Sequence, residues 1–205
     1  MIDKKGTLLV ISAPSGTGKT TVVKQLMLQN KNIKASVSYT TRTIRPNETN
    51  GLDYVFVAAK IFESMILQNM FLEFANVFGH YYGTPTKETL DALNRGYTII
   101  LEIDWQGAEQ IRLKRPESKS IFLLPPSKEE LKKRLTRRAT DSSDQIELRF
   151  QEAIKDIQQY KYFDRVIVNN DVGSTCQEIE SYIDRIDNSE QNVNEEALAV
   201  IRSFI

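Results

Sequence analysis

Ala13-Pro-Ser-Gly-Thr-Gly-Lys19-Thr20 directly follows the apolar run Thr7-Leu-Leu-Val-Ile-Ser12 and directly precedes a helix-compatible segment reaching to about residue 29. A strand, a glycine-rich turn ending in Gly-Lys-Thr, and a helix constrain the fold more than any other feature of the chain. In such a unit, consecutive backbone N–H groups and the helix N-terminus face nucleotide phosphates. Lys19 then reaches the outer phosphates, and the Thr20 hydroxyl ligates Mg²⁺. Residues 13–21, namely Ala13, Pro14, Ser15, Gly16, Thr17, Gly18, Lys19, Thr20 and Thr21, are therefore expected to cradle ATP or GTP. Ala13 stands where the full pattern begins with Gly; that position needs no positive φ, so close approach to phosphate falls to Gly16 and Gly18. The competing reading is a Gly/Ser turn beside a solvated lysine. Strand, turn chemistry, Gly-Lys-Thr and following helix agree on the cradle.

At 205 residues the chain suits one domain, with room for an inserted subdomain and a sizeable core. Lys plus Arg and Asp plus Glu stand at 27 each, so no overall field draws the chain to nucleic acid or an anionic membrane. Any anion site must be local. No stretch of about 18 apolar residues offers a spanning segment, and the apolar run near the N-terminus is too short for a signal peptide. The single cysteine, Cys176, excludes an internal disulfide and gives no metal cluster. A cytoplasmic location is expected. The sequence is compatible with an oligomer.

Tyr97-Thr-Ile-Ile-Leu-Glu-Ile103, Ser120-Ile-Phe-Leu-Leu124 and Arg165-Val-Ile-Val168 are apolar and lack alternation, as strands covered on both faces do. Helical patterns at about 105–114, 127–138, 144–160 and 172–186 flank them, the last placing Cys176, Ile179, Ile183 and Ile186 on one stripe. Cys176 therefore reads as core. Strands alternating with helices predict an α/β fold, a central parallel sheet with ligands at its carboxyl edge. Between Ala35 and Asn94 the rhythm changes to short strands around Val37–Tyr39, Tyr54–Val57 and Phe71–Phe74, separated by turns. This segment predicts a small mixed flap rich in nucleotide-binding side chains: Ser38, Arg42, Arg45, Tyr54, Glu73, Tyr81 and Tyr82. Ala197, Val200, Ile201 and Phe204 predict a docked helix in the tail.

Ser36-Val-Ser-Tyr-Thr-Thr-Arg42-Thr-Ile-Arg45-Pro-Asn-Glu48-Thr-Asn-Gly51-Leu-Asp-Tyr54-Val-Phe56, Phe71-Leu-Glu73 and Gly79-His-Tyr-Tyr82-Gly83-Thr84 strongly resemble the GMP-binding region of guanylate kinases. Leu101-Glu-Ile-Asp104-Trp-Gln-Gly107, Leu124-Pro-Pro-Ser127, Arg134-Leu-Thr-Arg-Arg138, Ile146-Glu-Leu-Arg149 and Val166-Ile-Val-Asn169 extend the match from about residue 5 to 187. The resemblance implies a P-loop kinase core of residues 1–34 and 95–187, a mixed α/β GMP-binding subdomain at 35–94 and a short lid at about 137–148. A helical tail at 188–205 lies outside it. It implies transfer of the γ-phosphoryl group of ATP to GMP, with Mg²⁺, in purine nucleotide metabolism and GMP recycling.

Phosphoryl transfer between two nucleotides crowds negative oxygens together, so arginines and water exclusion are the expected tools. By resemblance, Lys19, Arg134, Arg138 and Arg149 grip ATP and the migrating group, with Asn169 also on the ATP side. Arg42, Arg45, Tyr54 and Tyr82 hold the GMP phosphate, and Arg42 is counted with the catalytic groups. Guanine offers N1–H and N2–H₂ side by side, which one buried carboxylate can accept; the resemblance gives this role to Glu73, with Ser38 and Thr84 assisting. Thr20 and, through water, Asp104 would hold Mg²⁺. The chain departs from the family at three places. Glu102 replaces a common Asp, and its extra methylene shifts the carboxylate by about 1.5 Å, leaving room for water between it and guanine. Arg137-Arg138-Ala139 replaces a glycine-bearing lid turn. His80 replaces a common Asn and reads as a surface or hydrogen-bonding residue. Two other readings stay open: a catalytically silent binding module, as in guanylate-kinase-like scaffold domains, and a P-loop kinase for another small acceptor.

Overall fold

The computed structural model describes residues 6–136, 143–184 and 192–205. In chain order its elements are β1 (Leu8–Ser12), α1 (Lys19–Gln29), β2 (Ile33–Ala35), β3 (Tyr39–Thr40), β4 (Val55–Phe56), α2 (Ala59–Leu67), β5 (Phe71–Val77), β6 (His80–Pro85) and α3 (Thr86–Asn94). They continue as β7 (Thr98–Glu102), α4 (Trp105–Lys114), β8 (Lys119–Leu124), α5 (Lys128–Thr136), α6 (Ser143–Ile157), β9 (Arg165–Val168), α7 (Val172–Ile183), β10 (Asn192–Val193) and α8 (Glu195–Phe204).

All five residues of β1 are buried. They alternate between two cores, as successive strand residues must. Leu8 and Val10 share one with Ile111 of α4, Leu131 and Leu135 of α5 and Ile157 of α6. Leu9 and Ile11 share the other with Val22, Val23 and Leu26 of α1 and with Cys176 and Ile179 of α7. Each such buried aliphatic side chain contributes about 1.5–3 kcal/mol over an exposed one. Covering on both faces is why these strands carry no polar alternation.

The main sheet is parallel, in the order β2-β7-β1-β8-β9-β10. The chain leaves β1 toward β2 on one side and later crosses to β8 on the other, so the strand order reverses at β1. The crevice outside the carboxyl end of that strand is where such sheets bind ligands. A second sheet, β4-β3-β6-β5, is antiparallel except for the β3–β4 pair. Its core is aromatic: Phe62 of α2 stacks on Phe71 and Tyr81 at centroid distances of 4.5 and 5.3 Å. Helices α2 and α3, edge strand β2 and hairpin strand β6 are elements that the sequence reading omits. The spacing of Phe62, Met65 and Ile66 already carried a helical signal for α2. α8 buries Ala197, Ile201 and Phe204 in the core that holds Leu8 and Val10.

Candidate active site

A cleft of about 300 Å³ opens at the carboxyl ends of β1 and β7, and the second sheet forms its other wall. All of residues 13–21 line it. Gly16 and Gly18 carry φ of 89° and 99°, a region that residues with a Cβ avoid, whereas Ala13 is outside that region. A Cβ on Gly18 would also come within 2.9 Å of Asn169 Nδ2. Helix α1 starts at this loop without a side-chain cap and without an acidic residue in its first turn, so its own sequence leaves its positive end open to the cleft. The Thr17 hydroxyl is buried there and finds no hydrogen-bond partner among the described residues.

Lys19 Nζ donates to the Ile103 carbonyl at 3.0 Å, spanning from the loop to the end of β7. Arg134 and Asn169 do not line the cleft. They converge instead on the Thr17 carbonyl, with Arg134 Nη1 at 2.9 Å and Asn169 Nδ2 at 2.8 Å, and so brace the loop from α5 and from the end of β9. Glu102 and Asp104 both line the cleft, and they differ in use. The Glu102 carboxylate accepts from the Thr20 hydroxyl. Asp104 Oδ1 caps α4 through the Gly107 N–H at 3.0 Å, and Oδ2 accepts from Gln106 at 3.1 Å. The longer side chain at 102, expected to stand off the base, thus reaches the P-loop threonine.

On the opposite wall, Glu73 of β5 is 2% exposed and accepts from Thr84 Oγ1 at 2.5 Å. Burial pushes its carboxyl up to about 7, opposed by the Thr84 hydrogen bond and reinforced by the charge of Asp104. Gly107 supplies the room: a Cβ there would run into Glu73 Oε2. Ser38 lines the same wall, while Thr84 is reached only through Glu73. Arg42 is held in a fork by Glu48 at 2.8 and 2.7 Å and also donates to the Thr43 carbonyl. The Glu48 hydrogen bonds raise the Arg42 pKa further and, in return, lower that of Glu48. Glu48 also accepts from the Arg45 backbone N–H, so the same carboxylate pins the loop backbone at Arg45. The Arg42 guanidinium lies 5.2 Å from the Tyr54 ring centre, and Tyr54 packs edge-on to Tyr82 at 5.9 Å. Burial, with Glu102 nearby, pushes the Tyr54 hydroxyl up to about 12. Tyr81 belongs elsewhere: pointing opposite to Tyr82, it packs in the small core on Phe62.

From α6, Arg149 and Asp156 both line the cleft. Two turns separate them, which puts them on one helix face. The Asp156 carboxyl accepts from the Trp105 indole and is pushed up to about 6, chiefly by burial and next by Asp104. Glu48, Gly107 and Asp156 carry no assigned role in the sequence reading. Only the Arg149–Asp156 spacing held a signal. Arg138 and the first half of the expected lid, residues 137–142, lie outside the described residues.

A phosphate cradle at the end of the central strand, faced by arginines and a buried carboxylate from an inserted sheet, defines a P-loop kinase with a small anionic acceptor. The guanylate kinase family matches residues 5–186. The guanylate kinase of Acinetobacter baylyi is 48% identical over 87% of this chain and 86% of its own length; that of Clostridioides difficile is 45% identical over 89% of each. The crystal structure of guanylate kinase from Anaplasma phagocytophilum superposes with a TM-score of 0.74 at 33% identity, covering 98% of this chain and 97% of that one. The chain belongs to the guanylate kinase family. It is an ATP:GMP phosphotransferase, with ATP as phosphoryl donor, and makes ADP and GDP. Among the described residues no helix is long and apolar enough to cross a membrane.

Proposed function

We propose that ATP lies on residues 13–21 and GMP lies under the second sheet, so that their phosphates meet between Lys19 and Arg42. One observation carries this reading: the uncapped start of α1 and the buried Glu73 carboxylate line a single continuous cleft. Glu73 accepts the two guanine donors, steadied by Thr84, with Ser38 beside the base. Arg42, Arg45, Tyr54 and Tyr82 bind the GMP phosphate, and Glu48 presents Arg42 already oriented. An oxygen of that phosphate forms a bond to the γ-phosphorus while the bond from the bridging oxygen to the γ-phosphorus breaks. Lys19 and Arg149 neutralise the charge that passes to the leaving β-phosphate. Arg138 is assigned the same role from the family motif, and Arg134 and Asn169 serve the ATP side by fixing the loop that wraps it.

The Thr20 hydroxyl and the Glu102 and Asp104 carboxylates are hard oxygen donors, a set that suits Mg²⁺ with most of its waters retained. Thr20 would hold it directly and Asp104 through water, with Glu102 orienting the Thr20 hydroxyl. The ion would supply charge neutralisation at the β- and γ-oxygens. A cytoplasmic setting goes with the lone, buried thiol of Cys176.

Measuring ADP release from Mg·ATP with GMP, AMP, CMP and UMP tests the reading. GMP is expected to dominate; equal use of AMP would overturn the assignment of Glu73. A second check lies at Gly107. Gly107→Ala should raise KM for GMP about tenfold, the cost of displacing a packed group by overfilling being about 1–3 kcal/mol, and should leave KM for ATP unchanged. Ala is the better helix former, so α4 itself does not suffer. A KM for GMP within twofold of wild type would show that Glu73 tolerates the displacement.

A further inference from the structure

The hairpin joining β5 to β6 turns through Phe78 and Gly79, with φ of 52° and 79°. Two successive positive φ values define the tight turn that favours Asn-Gly or Asp-Gly, and a bulky residue at its first position is a genuine outlier. Burial does not account for it, since Phe78 is 52% exposed. Backbone strain of this kind persists only where the surrounding structure imposes it, and it clusters at functional sites. What Phe78 does touch lies on another element: the Arg149 guanidinium of α6 sits 5.8 Å from the ring centre, and both residues line the cleft. The contact joins the hairpin that carries Glu73 and Tyr82 to the helix that carries Arg149.

We infer that Phe78 is a positioning residue for phosphoryl transfer: its ring, at the tip of the acceptor-side hairpin, sets the Arg149 guanidinium on the migrating group. A cation over a ring face is attracted by the ring quadrupole and needs no hydrogen bond to be held there. The contact therefore fixes where the Arg149 guanidinium sits relative to the hairpin. It also ties the orientation to the acceptor side, because the same hairpin carries Glu73 and Tyr82. The inference rests on the assignment of Arg149 to the transferred group.

Phe78→Asn puts the favoured residue into the turn and removes the ring. Its melting temperature should equal or exceed that of the wild type, and KM for ATP should be unchanged, while kcat falls by roughly 3- to 30-fold, the range a cation–π contact spans from exposed to desolvated sites. Phe78→Tyr, which keeps the ring, should stay within twofold of wild type. In an Arg149→Met background, Phe78→Asn should cost nothing further. An unchanged kcat in Phe78→Asn, an equal loss in Phe78→Tyr, or a full additional loss in the double variant would each overturn the inference. An unchanged kcat in Arg149→Met alone would overturn the Arg149 assignment first, and this inference with it. Collapse of kcat in Arg149→Met beside a normal Phe78→Asn would overturn only the positioning role.

Discussion

Lys19→Met is expected to lower kcat by about 10²–10³ while the protein keeps its melting temperature, because a preorganised charge aimed at the transition state is worth that much. The structure places the ammonium where this effect is possible. Lys19 is the first residue of α1, immediately after Gly18, and its Nζ reaches the Ile103 carbonyl at the end of β7. That carbonyl is a neutral partner, so the charge stays available to phosphate. Methionine keeps the length and the apolar stem, and the substitution therefore removes charge with little loss of packing. Because the lysine acts more strongly as charge moves toward the leaving phosphate, kcat should fall further than KM for ATP rises. A folded Lys19→Met protein turning over within tenfold of wild type would remove Lys19 from the mechanism.

The ease with which Lys19 could be found, compared with Phe78 or Gly107, has a physical basis. The P-loop is local: strand, turn and helix are contiguous, and each leaves its mark in composition. Strands β1, β7, β8 and β9 were legible for the same reason, since burial on both faces demands unbroken apolar runs. The second sheet was harder to read. β3 and β4 are two residues each, and β6 contains Gly83 and Pro85, residues that ordinarily argue against a strand. At the site, motif matching reached Arg42 and Glu73 but not what holds them. The Glu48 fork depends on how a loop without regular structure folds back on itself, and the Gly107 seat depends on α4 packing against β5. The family resemblance placed position 102 beside the base, with the longer Glu102 side chain standing off it, whereas in the fold its carboxylate accepts from Thr20.

Glu73→Gln should lower kcat/KM for GMP by about 10- to 100-fold, since a buried polar mismatch costs about 1–3 kcal/mol, toward the upper end for a charged acceptor. One guanine donor would lose its acceptor and face an amide N–H₂. AMP, a poor substrate at the outset, should lose less, and KM for ATP should hardly move, because the P-loop lies at the other end of the cleft. The carboxyl also makes a pH prediction. Its pKa in the folded protein is about 7, above the ordinary 4.5, because burial disfavours the charge. The free enzyme thus gains stability from this group below about 4.5 and loses it as pH rises through about 7. Guanine needs the ionised form, so kcat/KM for GMP should rise up to tenfold per unit with increasing pH below about 7 and level off above it. The GMP phosphate, with its second ionisation near 6, adds a separate limb at lower pH. In Glu73→Gln the limb near 7 should vanish and the phosphate limb remain. A profile in the variant that still bends near 7, or equal losses for GMP and AMP, would show that Glu73 does not read the base.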